Sequence, residues 1–297
     1  MSDPEGKHPR INPYAVICVG VLAVSFGSIF VRLADAPALT IAAYRVGIAS
    51  LLLAPVGLWR EGQSLRRLRR HDLLLALLTG FFLALHFATW VSSLDYTSVA
   101  SSVVLVNTNP LWVGLVAPLI TGERVSRVMA VGIVISVIGG VIIGVGDFGL
   151  APEQALGDIL ALSGAIMAAL YILMGRNLRR RMSLLSYVVI VYSAAALLLV
   201  LFALVTRQPF SGFSQQTWAL FLLMALIPQI LGHSSYNWAL GYLSASFIAV
   251  SLLGEPIAAT IMAYLLLGEG LTTAKVIGGT LILAGIYVTA REEGRNG

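Results

Sequence analysis

Two proline-linked side chains are the places where this chain is best equipped to do chemistry. Asn109 precedes Pro110 and Glu255 precedes Pro256, 146 residues further on, and each pair lies in the middle of a long apolar stretch. Proline lacks an N–H and crowds the carbonyl one turn earlier, so Pro110 and Pro256 are expected to free carbonyls and act as hinges. A freed carbonyl beside an amide or a carboxyl can hold an ammonium group or a proton. Glu255 is the one carboxylate expected near the middle of a hydrocarbon layer, where it needs a proton, a partner or a wet cavity. Tying the kink together is the structural alternative for both residues. Arg45, about two turns inside an apolar stretch, makes the same demand. A substrate carboxylate, a backbone carbonyl or the headgroup region would each meet it, and its neighbour Tyr44 leaves room for any of them.

Around these lie residues that suit a polar-aromatic pocket. Trp90 and Tyr236 are again 146 positions apart, and with Tyr171 they offer flat surfaces for an organic side chain. His86 and Ser251 fall on the polar stripes of their helices, as do Ser98, Ser101, Ser102, Gln229, His233 and Ser244. Helix–helix packing is the competing role for the serines, and a satisfied interior histidine is the competing role for His86 and His233. The substrate-contacting set is therefore Trp90, Asn109, Tyr236, Glu255, His86, Tyr171, Ser251, Tyr44 and Arg45.

The recurring spacing extends well beyond these pairs. Sliding Leu94–Gly139 onto Leu240–Gly285 needs no gap and matches 11 of 46 positions, including Pro110/Pro256, Gly122/Gly268, Glu123/Glu269, Gly132/Gly278 and Gly139/Gly285. Apolar composition alone would not keep a proline, a Gly-Glu pair and two further glycines in register, so the halves share a fold. Gly132, Gly139 and Gly140 in the first half and Gly278, Gly279 and Gly285 in the second are expected to let helices approach closely, away from any substrate. Glu123 and Glu269 are expected to cap the helix that follows each.

These residues must be positioned by membrane helices. The chain is 58% hydrophobic and 11% charged, with a mean hydropathy of +0.89, far from soluble proteins. Stretches able to cross about 30 Å of hydrocarbon recur at 13–31, 38–58, 73–93, 98–120, 127–145, 157–175, 184–206, 217–239, 244–267 and 273–290. Nothing alternates with period two over ten-residue segments, which argues against a β-barrel. The fold class is an all-α integral membrane protein with ten transmembrane helices in two five-helix repeats. The repeats run from 13 to 148 and from 149 to 291, between tails at 1–12 and 292–297. Because five is odd, the second repeat must be inverted. With the N-terminus in the cytoplasm, 15 of the 19 Lys and Arg residues are cytoplasmic; only Arg32, Arg207 and Lys275 lie opposite, and Arg45 is inside a span. That bias orients both termini to the cytoplasm. It also accounts for the net charge of +5 without a nucleic-acid partner, since there is no soluble basic domain. The connections Arg60–Asp72 and Gly146–Leu156 are too short for one.

What is missing narrows the function. Cys18 stands alone, so neither an internal disulfide nor a cysteine metal cluster can form. No phosphate-binding G-x-x-x-x-G-K-[ST] loop and no H-E-x-x-H motif occurs, and the aspartates sit at span ends or in loops. No cofactor and no enzyme activity are expected. An inverted repeat without an enzyme motif fits a secondary transporter.

The run Glu255-Pro256, Leu266-Leu267-Gly268-Glu269, Leu271-Thr272 and Gly278 to Gly285 resembles the repeat signature of the drug/metabolite transporter superfamily. Asn109-Pro110, Thr121 to Ser126 and Gly132 to Gly140 form a weaker copy. Within that superfamily the short loops and the aromatic residues of spans three and eight look most like bacterial aromatic amino-acid exporters. The resemblance implies a multi-pass protein of the bacterial inner membrane that exports amino acids, aromatic ones included, by alternating access. Export of other small metabolites or cationic drugs remains open. So does a lipid-handling role as flippase or transferase, which would need a lateral opening lined by basic residues. Amino acids and membrane lipid are the expected partners, and monomer and homodimer are both open.

Overall fold

The computed structural model describes residues 11–97, 99–144, 152–258, 261 and 272–296. Among them there are helices and no strands, as apolar segments in lipid must be, because helices satisfy their backbone internally. The helices are α1 (Pro13–Val24), α2 (Phe26–Leu33), α3 (Ala38–Arg66), α4 (Arg70–Ser93), α5 (Val99–Val106), α6 (Asn109–Ile120) and α7 (Arg127–Gly144) in the first half. The second half contains α8 (Pro152–Arg179), α9 (Leu184–Val205), α10 (Gln215–Met224), a π-helical segment (Ala225–His233), α11 (Ser234–Ala239), α12 (Ala245–Leu252) and α13 (Thr273–Asn296). Among the described residues eight helical stretches are long and apolar enough to cross a membrane, and Arg127–Ile142 and Ala245–Ala258 are shorter apolar helices.

Local sequence sets the ends. Asn12 caps α1 through Oδ1, which accepts from the Tyr14 N–H at 2.9 Å, and Ser183, Ser214 and Ser244 cap α9, α10 and α12. The chain stays helical through Glu61–Arg66, so the connection expected over Arg60–Asp72 shrinks to Arg67–Arg69. Gln63, Leu65 and Arg66 are good helix formers, which explains the extension.

Four crossings are broken where the sequence was read as continuous. The first breaks at Ser25, whose hydroxyl donates back to the Val21 carbonyl at 2.7 Å. The fourth breaks at Asn107 and Thr108, and the ninth at Leu253. Both of these interruptions begin three residues before a proline, Pro110 and Pro256. The eighth widens into the π turn around Pro228, which the pattern of apolar residues did not reveal. The expected span over 244–267 lies partly outside the described residues, as do Ser98, Gly268 and Glu269.

The halves interlock. The α4 helix packs on α8 and α9, α3 on α9, and α1 on the π segment and α11. The most extensive pairing among the described helices is that of α7 with α13, which cross glycine to glycine. A Cβ on Gly139 would stand 2.5 Å from the Gly278 carbonyl, and one on Gly132 would stand 3.0 Å from that of Gly285. Contacts this short exist only without side chains.

Candidate functional site

A cavity lies where the two repeats meet. Its walls include Val24, Arg45, His86, Trp90, Val106, Asn107 and Asn109 from the first half. Ala168, Tyr171, Ile172, His233, Tyr236, Leu252 and Glu255 complete it from the second. Seven of the nine residues expected to contact substrate are therefore gathered around one space. Its volume is about 50 Å³, and a water needs roughly 10–15 Å³ by this measure. The space holds a few waters, so helices must part before an amino acid enters.

Arg45 reaches the cavity from α3 and is 1% exposed. Its Nε donates to Gln229 Oε1 at 3.0 Å, and its guanidinium carbon lies 4.4 Å from the centre of the Phe87 ring. Gln229 sits in the π segment, which buries Pro228, Gln229, Gly232 and His233 together. Widened turns of this kind often mark functional positions. The sequence signal for this feature is Pro228, a proline inside a helical run.

The aromatic lining is continuous. His86 and Trp90 stack with planes 3° apart and centroids at 6.0 Å, and His233 contacts Phe87, Tyr171 and Tyr236. His86 Nδ1 lies 3.0 Å from the Gly164 carbonyl oxygen. Behind this wall Tyr171 donates to Asn237 at 2.8 Å, and the Asn237 amide in turn donates to Tyr192 at 3.2 Å. These bonds fix the rings that face the cavity.

The proline breaks supply the remaining polar groups. Pro110 frees the Val106 carbonyl, and the Asn109 amide donates to it at 3.3 Å. Asn109 is thus a tie across its own kink, yet its Oδ1 stays buried without a partner. Asn107, which the sequence reading passed over, is within hydrogen-bonding reach of the Glu255 carboxyl. The Ser25 hydroxyl meets the Glu255 carbonyl at 3.5 Å. Buried atoms of Arg45 (Nη1), Trp90 (Nε1) and His233 (Nδ1) likewise have no hydrogen-bond partner among the described residues. Several unpartnered polar atoms around one space are unusual in a folded interior and point to a polar occupant.

Two expected contacts lie elsewhere. Tyr44 donates to the Phe210 carbonyl at 2.6 Å and stacks on Phe221, with Trp218 at its edge, because its helix turns it away from its neighbour Arg45. Ser251 is buried, and its hydroxyl donates to the Phe247 carbonyl of its own helix at 2.8 Å. The Ser93 and Ser102 hydroxyls join α4 to α5 at 2.6 Å.

One end of the bundle is latched. Gly122 takes a left-handed φ of 73° and turns the chain after α6. Glu123 then pairs with Arg176 of α8 at 2.7 Å and accepts from the Ala245 N–H, the first of α12, at 3.1 Å. The expected cap on the following helix is instead made by Ser126, whose Oγ accepts from the Met129 N–H. Arg176 also donates to the Leu240 carbonyl at 2.7 Å, and Asn177 to that of Ile120 at 2.8 Å. Glu123 joins the halves rather than ordering a local turn, a role invisible without the fold.

A family model described as the EamA-like transporter family matches residues 12–145 and again 155–291. An uncharacterized transporter of Archaeoglobus fulgidus is 25% identical over 278 residues, covering 92% of this chain and 94% of that protein. The Bacillus subtilis uncharacterized transporter YyaM is 24% identical over 259 residues, covering 84% of this chain and 83% of its own length. A solved crystal structure superposes with a TM-score of 0.76 at 21% identity over 95% of this chain and 98% of that chain, a likeness of fold.

Proposed function

The chain belongs to the EamA-like transporter family and is a multi-pass membrane transporter, and on that premise we propose that it exports amino acids, aromatic ones included. The observation that carries this reading is the cavity between the repeats, where Trp90, His86, Tyr171 and Tyr236 surround unpartnered polar atoms. Rings on several sides offer stacking worth about 0.5–1.5 kcal/mol per aromatic pair beyond the area buried. The repeats are 13–148 and 149–291, and their relative rocking opens the cavity to each side in turn. Pro110 and Pro256 are the flexible points. Both termini face the cytoplasm of a bacterial inner membrane, and the distribution of Lys and Arg supports that orientation. Amino acids are the small-molecule partner and lipid surrounds the outer helix faces; no cofactor takes part.

Cells preloaded with labelled phenylalanine test the reading. Expression should speed loss of the label relative to cells carrying an empty vector, and Trp90→Ala should reduce the difference about tenfold at equal protein levels. Identical loss with and without the protein contradicts phenylalanine export.

A further inference from the structure

Taking the transporter reading of this cavity as given, we infer that the site is built for a dipolar headgroup. Arg45 holds the carboxylate and Glu255, with Asn109, holds the ammonium of one α-amino acid.

The two charged groups come from opposite repeats, Arg45 on α3 and Glu255 beyond α12, and line the same cavity. Among the described residues they form no ion pair within 4.0 Å. Among the described residues that line the space, no further carboxylate, Lys or Arg neutralises either of them. A guanidinium buried to 1% exposure, with the neutral Gln229 amide and the rings of Phe87 and Trp90 around it, remains short of an anion. Its Nη1 is free to donate, and an Arg fork matches a carboxylate in two parallel bonds.

That fork is also held still. The Gln229 oxygen anchors Nε, and Phe87 supports the guanidinium face. At Gly27 a Cβ would come within 3.4 Å of Nη1, so the missing side chain keeps room beside the donor. A positioned donor loses little freedom on binding.

The other pole has the complementary inventory. An ammonium carries three donors and no acceptor. Glu255 offers carboxylate oxygens, and Asn109, which lines the same cavity, carries a buried Oδ1 without a hydrogen-bond partner among the described residues. Asn109 and Glu255 are repeat equivalents, so both proline breaks deliver an acceptor to one pole.

The arrangement also rejects other molecules. A simple cation meets Glu255 but is repelled by Arg45, and a simple anion meets the reverse. Only a substrate with both charges leaves every buried charge matched. Discrimination rests on this repulsion as much as on attraction.

Counterflow of labelled phenylalanine in proteoliposomes decides the matter, with three competitors that share one side chain. Unlabelled phenylalanine should compete, whereas phenethylamine and 3-phenylpropionate should each be weaker by about a hundredfold or more, since sites built to bond a polar group reject analogues lacking it. Competition by either single-charge compound within about threefold of phenylalanine, a difference too small for a lost charged bond, overturns the inference. Arg45→Gln and Glu255→Gln should each cut phenylalanine exchange about tenfold or more, the value of one charged hydrogen bond. Arg45→Gln should also shift preference toward the amine and Glu255→Gln toward the acid. Gel-filtration profile and melting temperature in detergent identify variants that do not fold, in which case the wild-type competition series decides alone. Folded variants with wild-type exchange and wild-type preference overturn the inference. A wild type that exchanges phenylalanine without charge discrimination refutes the dipolar site and leaves amino-acid transport standing. One that exchanges no amino acid refutes both.

Discussion

Ser136 donates to the carbonyl of Ile282 at 3.4 Å, and the two residues are 146 positions apart. They are the same position of the two repeats, so an approximate twofold axis passes between them. To one side Gly132 faces Gly285 and to the other Gly139 faces Gly278, which is the reciprocal pattern a twofold axis demands. Because the contacts run in opposite directions along α7 and α13, these helices are antiparallel and one repeat is inverted relative to the other. The inversion is therefore visible in a single packed seam, independently of any count of crossings.

The seam predicts a graded cost for added methyl groups. Gly139→Ala would place its Cβ 2.5 Å from the Gly278 carbonyl and 2.9 Å from the Ile282 nitrogen, so the helices must separate. Overpacking of this kind costs about 1–3 kcal/mol, read as a lower melting temperature in detergent. Gly47→Ala, whose Cβ would meet nothing within 4 Å, should leave the melting temperature unchanged or raise it. Equal effects of the two changes would remove the seam from the account.

Glu123 and Arg176 should govern opening at the end of the bundle they join. Their side chains are 19% and 13% exposed, shielded enough for a charged bond to contribute about 1.5–3 kcal/mol. Glu123→Gln removes that charge and should favour the state open at this end. In a Cys18→Ser background, Val106→Cys on the cavity wall should react several times faster with a membrane-impermeant thiol reagent from that side, about fivefold or more for a shift of 1 kcal/mol. Unchanged labelling would mean that the pair does not gate access.

The aromatic wall should matter for side-chain preference. Trp90→Ala and Tyr236→Ala are each expected to weaken phenylalanine transport by about tenfold, near 1.4 kcal/mol, and alanine transport by less. Trp90→Phe should retain most of the activity because it keeps a ring. Michaelis constants for the two substrates check this, and equal losses for both would assign the rings to packing alone.

Much of this site was legible before the fold. Asn109, Glu255, Arg45 and Trp90 stand out in sequence because polar groups in apolar runs need a reason, and that reason proves to be a shared cavity. Pro110 and Pro256 announced their breaks for the same local chemistry. Tyr44 misled because sequence neighbours on a helix point about 100° apart, and its partner Phe210 is 166 positions away. Gln229 was placed on a polar stripe but not beside Arg45, and Asn107 escaped altogether, because amides are common as packing residues and only tertiary neighbours separate the roles. The cross-repeat bonds of Glu123 depend on which helix ends meet, and no local pattern encodes that.

The proposed orientation is supported by the basic residues and can be measured directly. A reporter fused after Arg181 should be cytoplasmic and one fused after Gly212 should be on the far side, because α9 crosses between them. Both on one side would contradict the crossing of α9, and the reverse pair would contradict the charge rule here.

The central claim is that the cavity between the repeats carries amino acids across the membrane. The most direct measurement is counterflow: proteoliposomes loaded with unlabelled phenylalanine, diluted into a trace of labelled phenylalanine. The account predicts transient accumulation of label above the level of protein-free liposomes, reduced about tenfold in Trp90→Ala. Label uptake equal to that of protein-free liposomes, with protein shown to be folded and inserted, for phenylalanine and for every other amino acid, would contradict it.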